Sequence, residues 1–196
     1  EARLFKIDYW SDDRFFMHVD GSYAWSSSVY TSHGTPECGS AGGNQEDFAF
    51  NVDQTFPHTA NTFTVRFSTT ITYDGDYWGI NDIRVTMIDE PSPPPLPPSP
   101  PGSYSLLAEM HWPGENDMTG WLSDDVALNT SSVVTYCDTL GAMLGGYEVF
   151  GVGDFLEKTF TGLAAHTAVR VEARLFKIDY WSNAGARFFM HVDGSY

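Results

Sequence analysis

The chain has 196 residues and a mass of 21.8 kDa, of which 42% are hydrophobic and 15% aromatic, enough to build one domain-sized core or parts of two. Its 26 acidic against 10 basic residues leave a formal charge of −16, which repels a phosphate backbone and excludes nucleic acid as the main partner. No apolar run approaches the roughly 18 residues that cross a bilayer as a helix, so this segment is expected to carry no membrane span.

Taken in chain order, period-two alternation rich in Val, Ile, Thr, Phe and Tyr predicts strands over Ala2–Tyr9, Asp47–Asp53, Thr62–Ile71, Ile80–Ile88 and Ala168–Tyr180. Turn chemistry separates them at Asp20-Gly21-Ser22, Gly42-Gly43-Asn44, Asp74-Gly75-Asp76 and Gly145-Gly146. No stretch of a dozen residues holds a helical period. The expected fold is therefore all-β, a jelly-roll-like β-sandwich. An internal echo, His58-Thr59 with Val65-Arg66 against His166-Thr167 with Val169-Arg170, suggests two sheets of related layout.

Self-similarity is the most informative feature. The segment from Glu1 to Ser11 recurs identically from Glu172 to Ser182, and that from Arg14 to Tyr23 recurs from Arg187 to Tyr196. The spacers between the blocks differ, so the repetition has diverged. The period is about 171 residues, and the polypeptide is expected to continue on both sides of this window. Between the copies, residues 91–101 carry 8 of the 11 prolines. Such a run lacks amide donors and is expected to form a semi-rigid polyproline II rod about 34 Å long. Domain boundaries fall in segments of this kind. Residues 1–90 are thus read as the C-terminal part of one sandwich, 91–102 as the linker, and 103–196 as the N-terminal part of the next. The two copies should then occupy the same role in successive sandwiches, through covalent continuity or, in a processed chain, donor-strand exchange.

Cys38 and Cys137 have no near neighbour of the kind that a zinc site or a redox motif requires, and a disulfide is the expected state. With the boundary above, each is expected to pair across copies, unless one window closes on itself as a circular permutant does. Asn129-Thr130-Ser131 is the single N-glycosylation sequon. Together with the proline run, these features favour an extracellular setting.

The Ser-Pro and Pro-Pro run resembles the hydroxyproline-rich, O-glycosylated segments of extracellular glycoproteins of green algae. The elements Leu144-Gly145-Gly146-Tyr147, Phe150-Gly151, Lys158-Thr159-Phe160, Lys177-Ile178-Asp179-Tyr180-Trp181, Val19-Asp20-Gly21 and Trp78-Gly79-Ile80-Asn81-Asp82-Ile83 are similar to tandem β-sandwich repeats in surface proteins of algae and ciliates, with mastigoneme-like fibril proteins as the named kin. The resemblance implies a filament-forming glycoprotein whose Pro93, Pro94, Pro95, Pro97, Pro98, Pro100 and Pro101 are hydroxylated and carry sugars. It transfers no catalytic residue.

No enzyme is expected. Gly39-Ser40-Ala41-Gly42 lacks the spacing of a nucleophile elbow, and the Gly-rich stretch 145–153 lacks a phosphate loop's Gly-Lys-Ser/Thr ending. Among the six histidines there is no His-Glu-x-x-His, and His58 and His166 read as packing residues. With 26 acids, a pair at glycosidase spacing carries no information. Asp74, Asp76, Asn81 and Asp82 cluster hard oxygens on one turn and form a candidate structural calcium site, although turn geometry and solubility are the favoured explanation of these residues. No cofactor is otherwise required. Trp25, Tyr30 and Trp112 suit either sugar stacking or a core. The expected function is a structural subunit of an extracellular glycosylated fibril, with itself and covalent glycans as partners. The alternative is a carbohydrate-binding adhesin module.

Overall fold

The computed structural model describes residues 16–19, 22–26, 38, 47–69, 77–89, 104–110, 118–123, 126–127, 133–178 and 188–192. Thirteen strands occur among them: β1 Phe16–Val19, β2 Ser22–Ser26, β3 Phe48–Pro57, β4 Thr62–Thr69, β5 Tyr77–Ile88, β6 Tyr104–Met110, β7 Trp121–Ser123, β8 Val126–Ala127, β9 Val134–Cys137, β10 Gly141–Gly145, β11 Phe155–Thr161, β12 Ala168–Ile178 and β13 Phe188–Val192. The described residues contain no α-helix, only a 3-10 turn at Asp138–Leu140. Four predicted strands are observed as β3, β4, β5 and β12; Ala2–Tyr9 lies outside the described residues.

Two sheets result. One runs β2-β1-β13-β4-β11-β7-β8, and the other runs β3-β12-β5-β10-β9, with β6 also on β5. Along β4, alternate residues Phe63, Val65 and Phe67 are fully buried, and along β12 so are Val169, Val171 and Ala173. These inward rows meet in one core with Phe50, Trp78, Ile80 and Leu156, which makes the fold an all-β sandwich. β3 passes into β4, and β11 into β12, by short arches that carry the chain from one sheet to the other.

The sandwich is interleaved across the proline run. Among the described residues, β3, β4 and β5 pair with no strand from their own side of it. β12 lies between β3 and β5, and β4 lies between β11 and β13. Residues 1–90 and 103–196, read from the sequence as parts of different sandwiches, thus contribute to a single one here. The physical reason is complementarity: each side supplies strands whose ladder partners lie on the other.

The duplicated segments also depart from equivalent placement. Both copies of Phe-Met-His-Val form strands, but they are neighbours, β1 parallel to β13 with Phe16 opposite Phe189 and Met17 opposite Met190. The chain has one β4 edge for two identical strands; β13 takes it and β1 pairs outside. β1 and β2 pair antiparallel with Val19 opposite Ser22.

Candidate functional site

Three constellations join the two sides of the proline run. The first is covalent. Cys38 and Cys137 form a disulfide with their Cα atoms 4.9 Å apart, 99 residues apart in sequence. The Cys38 amide donates to the Asp47 carboxylate. Within this chain the two cysteines meet, the self-closing arrangement, with Cys137 at the end of β9. The disulfide pins a second, smaller core on the outer face of the sheet that holds β9, formed by Ala49, Cys137, Leu140, Met143, Phe176 and Ile178. This cover explains why Leu175 through Ile178 are buried consecutively, on both faces of β12.

Beside it, Trp78 of β5 is fully buried, stacks obliquely on Phe150 at 4.9 Å, donates its amide to the Phe150 carbonyl at 2.9 Å and accepts the Gly146 amide at 2.8 Å. Gly145 makes the approach possible: its φ is +81°, and a Cβ there would stand 2.8 Å from the Trp78 carbonyl oxygen.

The second constellation is a histidine clasp. His58, in the β3–β4 arch, and His166, in the β11–β12 arch, are each 5% exposed and stack at 4.9 Å with their planes 17° apart. His166 Nδ1 lies 2.7 Å from the Ala164 carbonyl, which can only accept, so Nδ1 carries the proton. In the neutral ring Nε2 is then an acceptor, and His58 Nδ1 donates to it at 2.6 Å. Backbone bonds from the His58 amide to the Thr167 carbonyl and from the Leu163 amide to the Asn61 carbonyl, each 3.0 Å, complete the clasp. The sequence echo therefore marks two arches that meet. His166→Leu should strand a buried donor on His58 and lower unfolding free energy by about 1–3 kcal/mol in urea denaturation. The double change His58→Leu with His166→Leu should cost less than the sum of the single changes, because neither polar partner remains.

The third is a set of ion pairs on outward-facing positions. Arg170 of β12 donates two hydrogen bonds to Asp53 of β3, at 2.7 and 2.6 Å, and lies 3.1 Å from Glu172. Arg66 of β4 meets Glu157 of β11 at 2.6 Å and covers the Phe155 ring at 3.9 Å. The hydrogen bonds from Arg170 hold the Asp53 carboxyl below its ordinary value of 3.8. A depressed folded-state value means that Asp53 stabilises the fold above about pH 3.8, and that this contribution is lost as pH falls through the folded value. Both partners are about a third exposed, at 34% and 35%, so solvent screens the pair. Asp53→Asn should cost under about 1 kcal/mol at pH 7, with the difference vanishing once acid has protonated the carboxyl in both states; urea titrations along a pH series check this.

Of the calcium candidates, Asp74 and Asp76 lie outside the described residues. Asn81 is buried, donates through Nδ2 to the Ala142 carbonyl at 2.9 Å and accepts the Asp82 amide at 2.7 Å through Oδ1. Asp82 has a φ of +51° at the irregularity where β5 passes β12. Asn81 thus ties β5 to β10. Among the described residues no group of three or more His, Cys, Asp or Glu is placed to hold a metal. Asn129, the prolines from Pro93 to Pro101, Tyr30 and Trp112 fall outside the described residues, and Trp25 lies in β2. No described helix is long and apolar enough to cross a membrane. No protein-family model, no curated protein and no solved structure matches the chain.

Proposed function

We propose that this chain is a structural subunit of an extracellular, glycosylated fibril built from tandem β-sandwich repeats. One observation supports the reading above the others. The duplicated segment that begins at Glu172 supplies the C-terminal part of β12, where Ala173, Leu175, Phe176, Lys177 and Ile178 are each at most 1% exposed. Ala2, Leu4, Phe5, Lys6 and Ile7 repeat those residues at the same spacing, the apolar ones among them favouring burial in the same way. A sequence that repeats a core strand every 171 residues or so calls for one sandwich per period.

The disulfide is compatible with an oxidising compartment outside the cytosol. Hydroxylated, sugar-bearing prolines between sandwiches would hold them apart and shield the linker from proteolysis, and the partners are copies of the same repeat. Negative-stain microscopy of the natural assembly tests this: regular filaments with a sandwich-sized repeat are expected. Monodisperse particles retained on a glycan array would contradict it and favour the adhesin.

A further inference from the structure

The disulfide and the histidine clasp stand at opposite ends of β12. That strand begins at Ala168, two residues after His166, and ends at Ile178 in the disulfide-pinned cover, roughly 30 Å away. One end is held by a covalent bond, whereas the other is held by a contact whose chemistry depends on protons. His58 Nδ1 donates to His166 Nε2 at 2.6 Å, and His166 Nδ1 donates to the Ala164 carbonyl at 2.7 Å. Three of the four ring nitrogens are therefore committed, and only His58 Nε2 lies outside these two bonds. An added proton can settle there and leave both bonds intact. A second has to enter at His166 Nε2, against the N–H that His58 already directs at it, and would set two cations side by side where each residue is 5% exposed. The closed clasp thus accepts one added proton at most, whereas the two histidines of open arches each accept one below about pH 6.5.

We propose that the clasp is a proton-operated latch, closed at neutral pH and released by acid at the end of the sandwich remote from the disulfide. The sign follows from counting protons. Below about pH 6.5 the open form binds one proton more than the closed form, so the ratio of closed to open falls by up to about tenfold for each further pH unit. The charged groups on the elements packed against the pair do not reverse this. Asp53 of β3 is engaged with Arg170 of β12, which also lies beside Glu172; Arg66 of β4 meets Glu157 of β11; and Lys158 of β11 donates to the Thr119 carbonyl. Asp89, which is exposed, follows Ile88 of β5, whose carbonyl accepts both the amide and the hydroxyl of Thr167. A carboxylate there favours the first proton and does nothing to relieve the donor-against-donor conflict of the second. On its other side the His58 ring meets Phe63 edge-on at 5.3 Å, an apolar wall that cannot solvate a charge. The contribution of Asp53 is lost only below about pH 3.8, outside this window. The latch is a property of the single sandwich and stands whether or not sandwiches assemble into a fibril.

Hydrogen–deuterium exchange of the oxidised full-length chain from pH 7.5 to 5, corrected for the intrinsic pH dependence of amide exchange, tests this. The His58 and Leu163 amides bond from one arch to the other, to the Thr167 and Asn61 carbonyls, and report on the latch. Their protection should fall about tenfold between pH 6 and pH 5, while the Trp78 and Gly146 amides beside the disulfide keep theirs. His166→Gln puts a carboxamide oxygen, which accepts and does not titrate, within reach of the His58 donor, and should hold the arch protection level across the same range. Protection at His58 and Leu163 that stays level in the parent, that falls only in step with Trp78 and Gly146, or that falls equally in His166→Gln would overturn the latch. Should that variant not fold, the imidazole shifts of the parent decide in its place: protonation of His166 coinciding with loss of arch protection supports the latch, and a protonated His166 with the arches still protected overturns it.

Discussion

Cys137→Ser is expected to lower the stability of the closed chain in dilute solution by about 3–5 kcal/mol. The disulfide spans 99 residues, so its removal releases a long loop, and the entropy of the unfolded state rises accordingly. A second contribution is local. Cys137 is 2% exposed within the small outer core, and serine would place a hydroxyl among Leu140, Met143 and Phe176. Cys38→Ser should lose the loop contribution without most of the local one, since Cys38 is only partly buried. Urea denaturation of both variants beside the oxidised and reduced parent separates the two effects: the reduced parent should match Cys38→Ser and exceed Cys137→Ser.

Trp78→Ala is expected to cost about 3–5 kcal/mol, the range for emptying a large aromatic site in a packed core. Trp78 and Trp121 are the fully buried tryptophans among the described residues, and the Trp78 backbone carbonyl and amide tie β5 to the Gly146 and Phe150 turn. Truncation leaves those backbone bonds but removes the surface on which Phe150 packs. A fall in thermal midpoint together with faster hydrogen–deuterium exchange of the backbone amides at positions 78 and 146 is the expected signature. A loss below about 1 kcal/mol would mean that the site collapses around the gap.

The strands legible in the sequence are those with one wet face. β4, the stretch of β5 from Asp82 to Thr86 and the first half of β12 alternate, and there the buried members are those that alternation selects. β10 escaped notice for the opposite reason. Its Ala142, Met143 and Leu144 are all buried, one row toward the main core and Met143 toward the disulfide-pinned cover, so no alternation survives between two flanking glycines. β7 and β8, of three and two residues, are too short to show a period. The histidines were read as packing residues, and the echo around them was visible. Their meeting was not, since it depends on two arches 108 residues apart and of different length. Cysteine pairing was legible as chemistry but not as topology. The pairing of Cys38 with Cys137 depends on strands from both sides of the proline run meeting in one sandwich, which no local pattern in the sequence displays.

The central claim, that one sandwich needs strands from both sides of the proline run, is tested most directly by separating the sides. Residues 1–90 and 103–196 produced as two polypeptides should each lack a cooperative thermal transition and dispersed NMR spectra. Mixed in equal amounts and oxidised, they should recover both, with a Cys38–Cys137 bond joining them. A cooperative transition in either polypeptide alone, unchanged by the other, would contradict the account.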